Sequence, residues 1–183
     1  LYFGGGTPSL CPSETLQRFI DRILERRPDA ILEEVTVEAN PDDLTPDYLA
    51  RLSRTRVNRL SIGIQSFDDD CLRMMNRRHT ARQALEALHE ARRAGFRNLT
   101  ADLIFGIPGF GEEPLRRSLA QLLEAGVEHV SAYHLTIEPG TAFGRREARG
   151  ALHAVDEEQS VREFQLVHET LTRAGFEHYE VSN

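Results

Sequence analysis

Leu1-Tyr2-Phe3-Gly4-Gly5-Gly6-Thr7-Pro8 opens the sequence, an apolar run passing straight into a glycine triplet. A strand that ends this way leaves backbone N–H and C=O groups bare for a ligand. Three missing Cβ atoms allow close approach and permit φ > 0 without strain. Thr7 adds a hydroxyl, and Pro8 stiffens the exit. A domain rarely begins within a strand at its own ligand loop, so the chain is expected to be a piece of a longer protein.

Outward from that stretch the chain alternates short apolar runs with segments of helical period. The runs cover residues 35–37, 60–64, 99–105, 130–135 and, less strongly, 179–181. Leu16, Phe19, Ile20, Ile23 and Leu24 share one helical face, with Ser13 as its N-cap. Thr45-Pro46-Asp47 supplies an N-cap, an N1 proline and a first-turn acid for a short helix through Leu49 and Leu52. Leu85, Leu88 and Ala91 precede Gly95; Leu115, Leu119 and Leu122 precede Gly126; Phe164, Val167 and Leu171 precede Gly175. Strands followed by helices, each closed by a glycine, define an α/β class with a parallel sheet. Right-handed crossovers place the helices on one side of a closed or curling sheet. A partial barrel and an open doubly wound sheet both satisfy this rhythm. Residues 139–150 form the longest loop-like stretch.

At 183 residues the length suits one domain, expected to run from 1 to 183. A net charge of −7 argues against nucleic-acid partners, which demand a basic footprint. The pairs Arg77-Arg78, Arg92-Arg93 and Arg145-Arg146 stand among acids and read as solvated, Arg77 excepted. No apolar run approaches the roughly 18 residues of a membrane span, and no signal-peptide pattern is present. Cys11 and Cys71 lie far apart without metal spacing, which reads as reduced thiols of a cytoplasmic protein. The seven histidines are scattered; His134 alone lies near the expected strand ends, where a core histidine is the plainer reading. Glu138 reads as a loop organiser.

Polar residues interrupt the runs at corresponding places. Glu38 stands in Val37-Glu38-Ala39-Asn40-Pro41, Gln65 in Gly63-Ile64-Gln65-Ser66-Phe67, and Asp102 in Ala101-Asp102-Leu103-Ile104-Phe105-Gly106. Each has apolar neighbours, so each is expected to be partly buried, which is costly unless the group is paired. One such residue could merely cap a loop. A series at the C-terminal ends of consecutive parallel strands lines the mouth of a barrel, where such enzymes build their sites. Glycine backbone with a glutamate, a glutamine and an aspartate suits ammonium, hydroxyls and ribose better than a triphosphate. A P-loop lysine is missing and G-x-G-x-x-G is not met. Arg77, in Met75-Asn76-Arg77-Arg78-His79, supplies one cation for a ligand carboxylate.

Five strings then occur in order: Gly4-Gly5-Gly6-Thr7-Pro8-Ser9-Leu10, Glu38-Ala39-Asn40-Pro41, Asn58-Arg59-Leu60-Ser61-Ile62-Gly63-Ile64-Gln65-Ser66-Phe67, Asp102-Leu103-Ile104-Phe105-Gly106-Ile107-Pro108-Gly109, and Leu135-Thr136-Ile137-Glu138-Pro139-Gly140-Thr141. Together they resemble the radical S-adenosylmethionine (SAM) proteins related to oxygen-independent coproporphyrinogen III oxidase, over essentially the whole chain. Glu-Ala-Asn-Pro, Gln-Ser-Phe, Leu-Thr-Ile-Glu-Pro and the closing Tyr179-Glu180-Val181-Ser182-Asn183 are most similar to the branch of HemW-type heme chaperones.

That resemblance implies a partial (β/α)6 TIM-like barrel of radical SAM type, here missing its first β/α unit, with SAM across its top. The chain would supply strands two to six of that barrel, plus the helix and strand that follow. Gly5 and Gly6 would hold the methionine amino group through backbone, with Thr7 beside them. Glu38, Gln65, Arg77 and Asp102 match positions that hold SAM, divided in the oxidase between two SAM molecules. Thr136 matches a further contact that is alanine in the oxidase. The resemblance also implies heme or porphyrin as a partner and a client protein that receives heme.

Two family features have no match: the Cys-x3-Cys-x2-Cys loop that binds a [4Fe-4S] cluster, and a His-Asn-x-x-Tyr-Trp motif in the carboxy-terminal region. The cluster is therefore expected in a full-length parent only, and this chain alone is expected to be inactive. Oxidative decarboxylation of coproporphyrinogen III is the alternative within the family. Outside it stand an iron-free β/α-barrel enzyme with a phosphorylated metabolite on the glycine backbone, and a nucleoside-binding module without chemistry.

Overall fold

Strand order decides between the two architectures. The computed structural model describes residues 1–180. β1 (Tyr2–Phe3), β2 (Thr36–Ala39), β3 (Arg59–Gln65), β4 (Asn98–Phe105) and β5 (His129–His134) form one five-stranded sheet in that sequential order, every neighbouring pair parallel. An open doubly wound sheet needs a point where the order reverses. With no reversal, right-handed crossovers all return on the same side, and the sheet curls as part of a barrel.

The connections are α1 (Ser13–Arg26), α2 (Pro46–Leu52), α3 (Asp69–Met74), α4 (Ala81–Arg93), α5 (Glu112–Glu124), α6 (Ala142–Glu147) and α7 (Glu157–Arg173). The Thr45 hydroxyl accepts the Tyr48 N–H at 3.2 Å to start α2, and Thr80 with Gln83 closes a capping box on α4. Ser13 is not the cap of α1: Pro12 occupies that position, and Ser13 is buried as the first helical residue. The stretch 139–150 is not a plain loop, since Thr141 caps α6 within it. Among the described residues the sixth run adds no strand to the sheet. Tyr179 and Glu180 have no strand structure, and Val181 lies outside the described residues.

Side-chain alternation gives the sheet two unlike faces. Val37, Leu60, Ile62, Leu99, Ala101 and Leu103 point to one side and are buried; all but Leu103 join Leu16, Ile20, Leu88 and Leu122 of the helices in one cluster, and Leu103 packs with Leu119 in a second. The register aligns Glu38 with Ser61, Ser61 with Thr100, and Asp102 with Ser131 on the other side. Parallel strands covered on both faces are apolar nearly throughout; here only the helix-covered face is.

Several charged groups serve the frame. Glu163 of α7, 2% exposed, accepts the Gly106 N–H and the Gln159 amide, each at 2.6 Å, and so ties α7 to the turn after β4. Arg92 departs from the solvated reading. It donates to Glu128 Oε1 at 2.6 Å and to the Arg97 carbonyl at 2.7 Å, and Glu128 accepts the Leu99 N–H at 2.9 Å. These bonds close the foot of β4 and β5. Among the described residues no helix is long and apolar enough to cross a membrane.

Candidate functional site

Glu38 is held from two directions. The Tyr2 hydroxyl donates to its Oε1 at 2.9 Å, and the Gly5 N–H donates to its Oε2 at 3.0 Å. Gly5 and Gly6 adopt φ of +80° and +64° with open space where a Cβ would stand, so backbone conformation demands glycine there. Gly4 is glycine for another reason. A Cβ on it would lie 2.7 Å from Tyr2 Cε1 and 2.9 Å from Glu38 Oε1. Burial, reinforced by the bond to Glu38, pushes the Tyr2 hydroxyl up to about 12, so it remains a donor at any working pH.

Across the sheet, Ser61 donates to Asp102 Oδ1 at 3.3 Å. Burial pushes the Asp102 carboxyl up to about 6, and the Glu38 charge adds to this against Ser61, Ser131 and Arg59. Asp102 lies inside β4 rather than at its end, so the polar groups form a row across the inner face: Tyr2, Glu38, Ser61, Asp102, Ser131. Arg77 faces Asp102. Burial pulls its guanidinium below the ordinary value, and the Asp102 charge pulls the other way. The chain reaches this point because α3 stops at Met74, Asn76 turns through φ of +56°, and the Arg77 N–H returns to the Leu72 carbonyl at 2.9 Å.

Gln65 ends β3 beside β4, opposite Leu103, at a register shift and with φ of +67°. That conformation costs a non-glycine residue roughly 1–2 kcal/mol, and such strain is concentrated at ligand clamps. Gly63 makes the room: a Cβ there would stand 2.8 Å from Gln65 Nε2.

Gly5, Glu38, Asp102 and Arg77 are thus brought together, with Gly6 continuing the loop and Gln65 at the adjoining strand end. Thr7 and Thr136 are not drawn into the group. Thr7 stands before the 3-10 turn Pro8–Leu10, where its carbonyl accepts the Leu10 N–H at 3.1 Å. Thr136 is exposed beyond β5 and makes no side-chain hydrogen bond among the described residues. His134 lies on the helix side, edge-on to Phe105 at 5.2 Å and 3.0 Å from Ser160 Oγ. Glu138 organises its loop through its carbonyl, which accepts the Thr141 hydroxyl at 2.7 Å. Sequence reasoning missed Tyr2, Ser61 and Ser131, whose signal was period-two spacing combined with register.

The site is an open polar face rather than a closed hole. A cavity of about 650 Å³ lies between β5, α7 and residues 176–180, and it touches the polar row only at Ser131. An iron–sulfur cluster needs thiolates, and the residues present do not fit one. Cys71 is buried, its thiol pushed up to about 12 mainly by that burial, and Cys11 stands apart from it, half-buried. Among the described residues no three potential metal ligands converge.

The family model of the radical SAM superfamily matches residues 1–122, and the chain belongs to that superfamily, whose common features are SAM and a [4Fe-4S] cluster. Across its whole length it is 37% identical to the heme chaperone HemW of Lactococcus lactis and 41% identical to that of Mycobacterium tuberculosis. It spans about half of each, 48% and 47% of their lengths. Its fold matches the coproporphyrinogen III oxidase HemN of Escherichia coli, a radical SAM enzyme, with a TM-score of 0.81 at 27% identity, over 97% of this chain and 41% of that one. The chain is a HemW-like radical SAM protein.

Proposed function

We propose that the full-length protein is a cytoplasmic heme chaperone whose radical SAM core domain, residues 1–183 of this chain, binds SAM on the polar face of the sheet. The observation that carries this reading is the row of Glu38, Ser61 and Asp102 beside the glycine triplet, in a chain matched along its whole length by heme chaperones. Two carboxylates on one inner face suit the positive sulfonium and ammonium of SAM, and bare Gly5 and Gly6 backbone admits the amino group closely. Asp102 and Gln65 offer acceptors and an amide to ribose hydroxyls, and Arg77 offers its guanidinium to the carboxylate. Thr7 and Thr136, which lie outside this group, are proposed as further contacts of the bound molecule. Asp102 enters the free site with its carboxyl near 6, so a bound cation draws it toward the ionised form.

The residues of this chain do not fit a [4Fe-4S] cluster; one bound elsewhere in a full-length protein would supply an electron to SAM. Heme is cargo in this reading, passed to a client protein, and two free cysteines fit a reducing compartment. The likeness to the Escherichia coli oxidase favours a second reading, oxidative decarboxylation of coproporphyrinogen III. Anaerobic titration of the full-length protein with SAM and with hemin, beside an assay of coproporphyrinogen III decarboxylation, separates them. The proposal expects both ligands to bind and the substrate to persist; decarboxylation without hemin binding overturns it.

A further inference from the structure

We propose that Tyr2 is a positioning residue for SAM that acts through Glu38, and that Gly4 lacks a side chain so that it can. The inference rests on reading the polar face as the SAM site. Each oxygen of the Glu38 carboxylate meets one donor, Tyr2 Oη at 2.9 Å or the Gly5 N–H at 3.0 Å. Each oxygen also keeps acceptor capacity for a ligand cation. The two donors come from β1 and from the loop that β1 feeds, so the strand and its glycine loop fix one carboxylate between them.

Register explains how Tyr2 reaches that place. It pairs with Thr36, two residues before Glu38 on the same face of β2, which makes Tyr2 and Glu38 a diagonal pair within reach of an aromatic side chain. The space where a Cβ of residue 4 would stand is filled by the Tyr2 ring and the Glu38 carboxylate. Tyr2 is 53% exposed, so the residue as a whole is not part of the packed core. Phenylalanine would keep the ring and lose only the donor.

The test is anaerobic equilibrium dialysis of radiolabelled SAM against the full-length, cluster-loaded protein, using wild type, Tyr2→Phe, Glu38→Ala and the double variant, with melting curves as folding controls. Tyr2→Phe should weaken SAM binding about 5-fold, the scale of a charge-assisted hydrogen bond reduced for exposure. On the Glu38→Ala background the same change should leave the affinity within about 1.5-fold, because its target is gone. Gly4→Ala, which pushes on Glu38 from the other side, should weaken binding at least as much. It also serves as the second probe if Tyr2→Phe melts early.

Equal losses in both backgrounds, or wild-type affinity in Tyr2→Phe beside a weakened Glu38→Ala, overturn the inference and leave the SAM site standing. Failure of the wild type to bind SAM removes the site, and the inference with it.

Discussion

Replacing Asp102 with asparagine should make this protein more stable while weakening its site. The Asp102 carboxyl stands at about 6 instead of 3.8, because burial penalises its charge and Glu38 adds repulsion, both only partly offset by Ser61 and Ser131. A shift of about two units is worth about 3 kcal/mol at roughly 1.4 kcal/mol per unit. That is the cost of holding the ionised carboxylate in the fold at neutral pH, and an upper figure, since local water and side chains relax. We expect Asp102→Asn to recover 1–2 kcal/mol at about pH 8. The sign follows from proton binding. The folded state holds this proton more tightly than the unfolded chain, so the group's contribution to stability falls as pH rises from about 4 to 6 and is flat above. The gain from asparagine should therefore shrink as pH approaches 4, where both states carry the proton. Urea unfolding followed by circular dichroism at several pH values measures this, with the m-value checked for constancy. SAM affinity in the same variant should fall about 10-fold, on the scale of a lost charged contact. A loss of stability at pH 8, or a gain that ignores pH, would refute the reasoning.

Three further outcomes follow from the frame. Gly106→Ala would push a Cβ into the His134 ring at φ of +71°; thermal melts should drop by about 5 °C or more. Glu163→Ala leaves the Gly106 N–H without its buried acceptor and takes one of two from the Gln159 amide, which keeps the Phe110 carbonyl. It should cost about 2–4 kcal/mol in urea unfolding and speed hydrogen exchange at the Gly106 amide. Cys71, buried with its thiol near 12, should resist a thiol reagent at pH 8 in the folded protein and react once urea unfolds it; fast labelling of the native thiol would contradict the packing around it.

The parallel α/β class was legible because apolar runs, helical stripes and closing glycines are all local signals. Strand order is not local. The runs at 60–64 and 99–105 look the same in a barrel and in a doubly wound sheet, and only their neighbours in space distinguish them. Glu38, Gln65 and Asp102 stood out as polar interruptions of apolar runs, yet Tyr2 and Ser61 did not. A tyrosine beside phenylalanine reads as core, and a serine reads as neutral, until register sets them next to carboxylates. Arg92 misled for the same reason, since its partner Glu128 lies 36 residues away. Helix α6 escaped because a six-residue helix is too short for periodicity to show. The left-handed turn at Gln65 breaks the usual preference for glycine and has no signature in the string at all.

The two unlike faces of the sheet have an evolutionary corollary. Residues that grip the helices and residues on the polar face alternate along each strand as interleaved but disjoint sets, so one set can be varied while the other is held fixed. Val37, Leu60, Leu99 and Leu103 keep the chain foldable. Glu38, Ser61, Asp102 and Ser131 are then free to drift toward new ligands, and a library restricted to those positions should yield folded proteins with altered chemistry far more often than one spread at random.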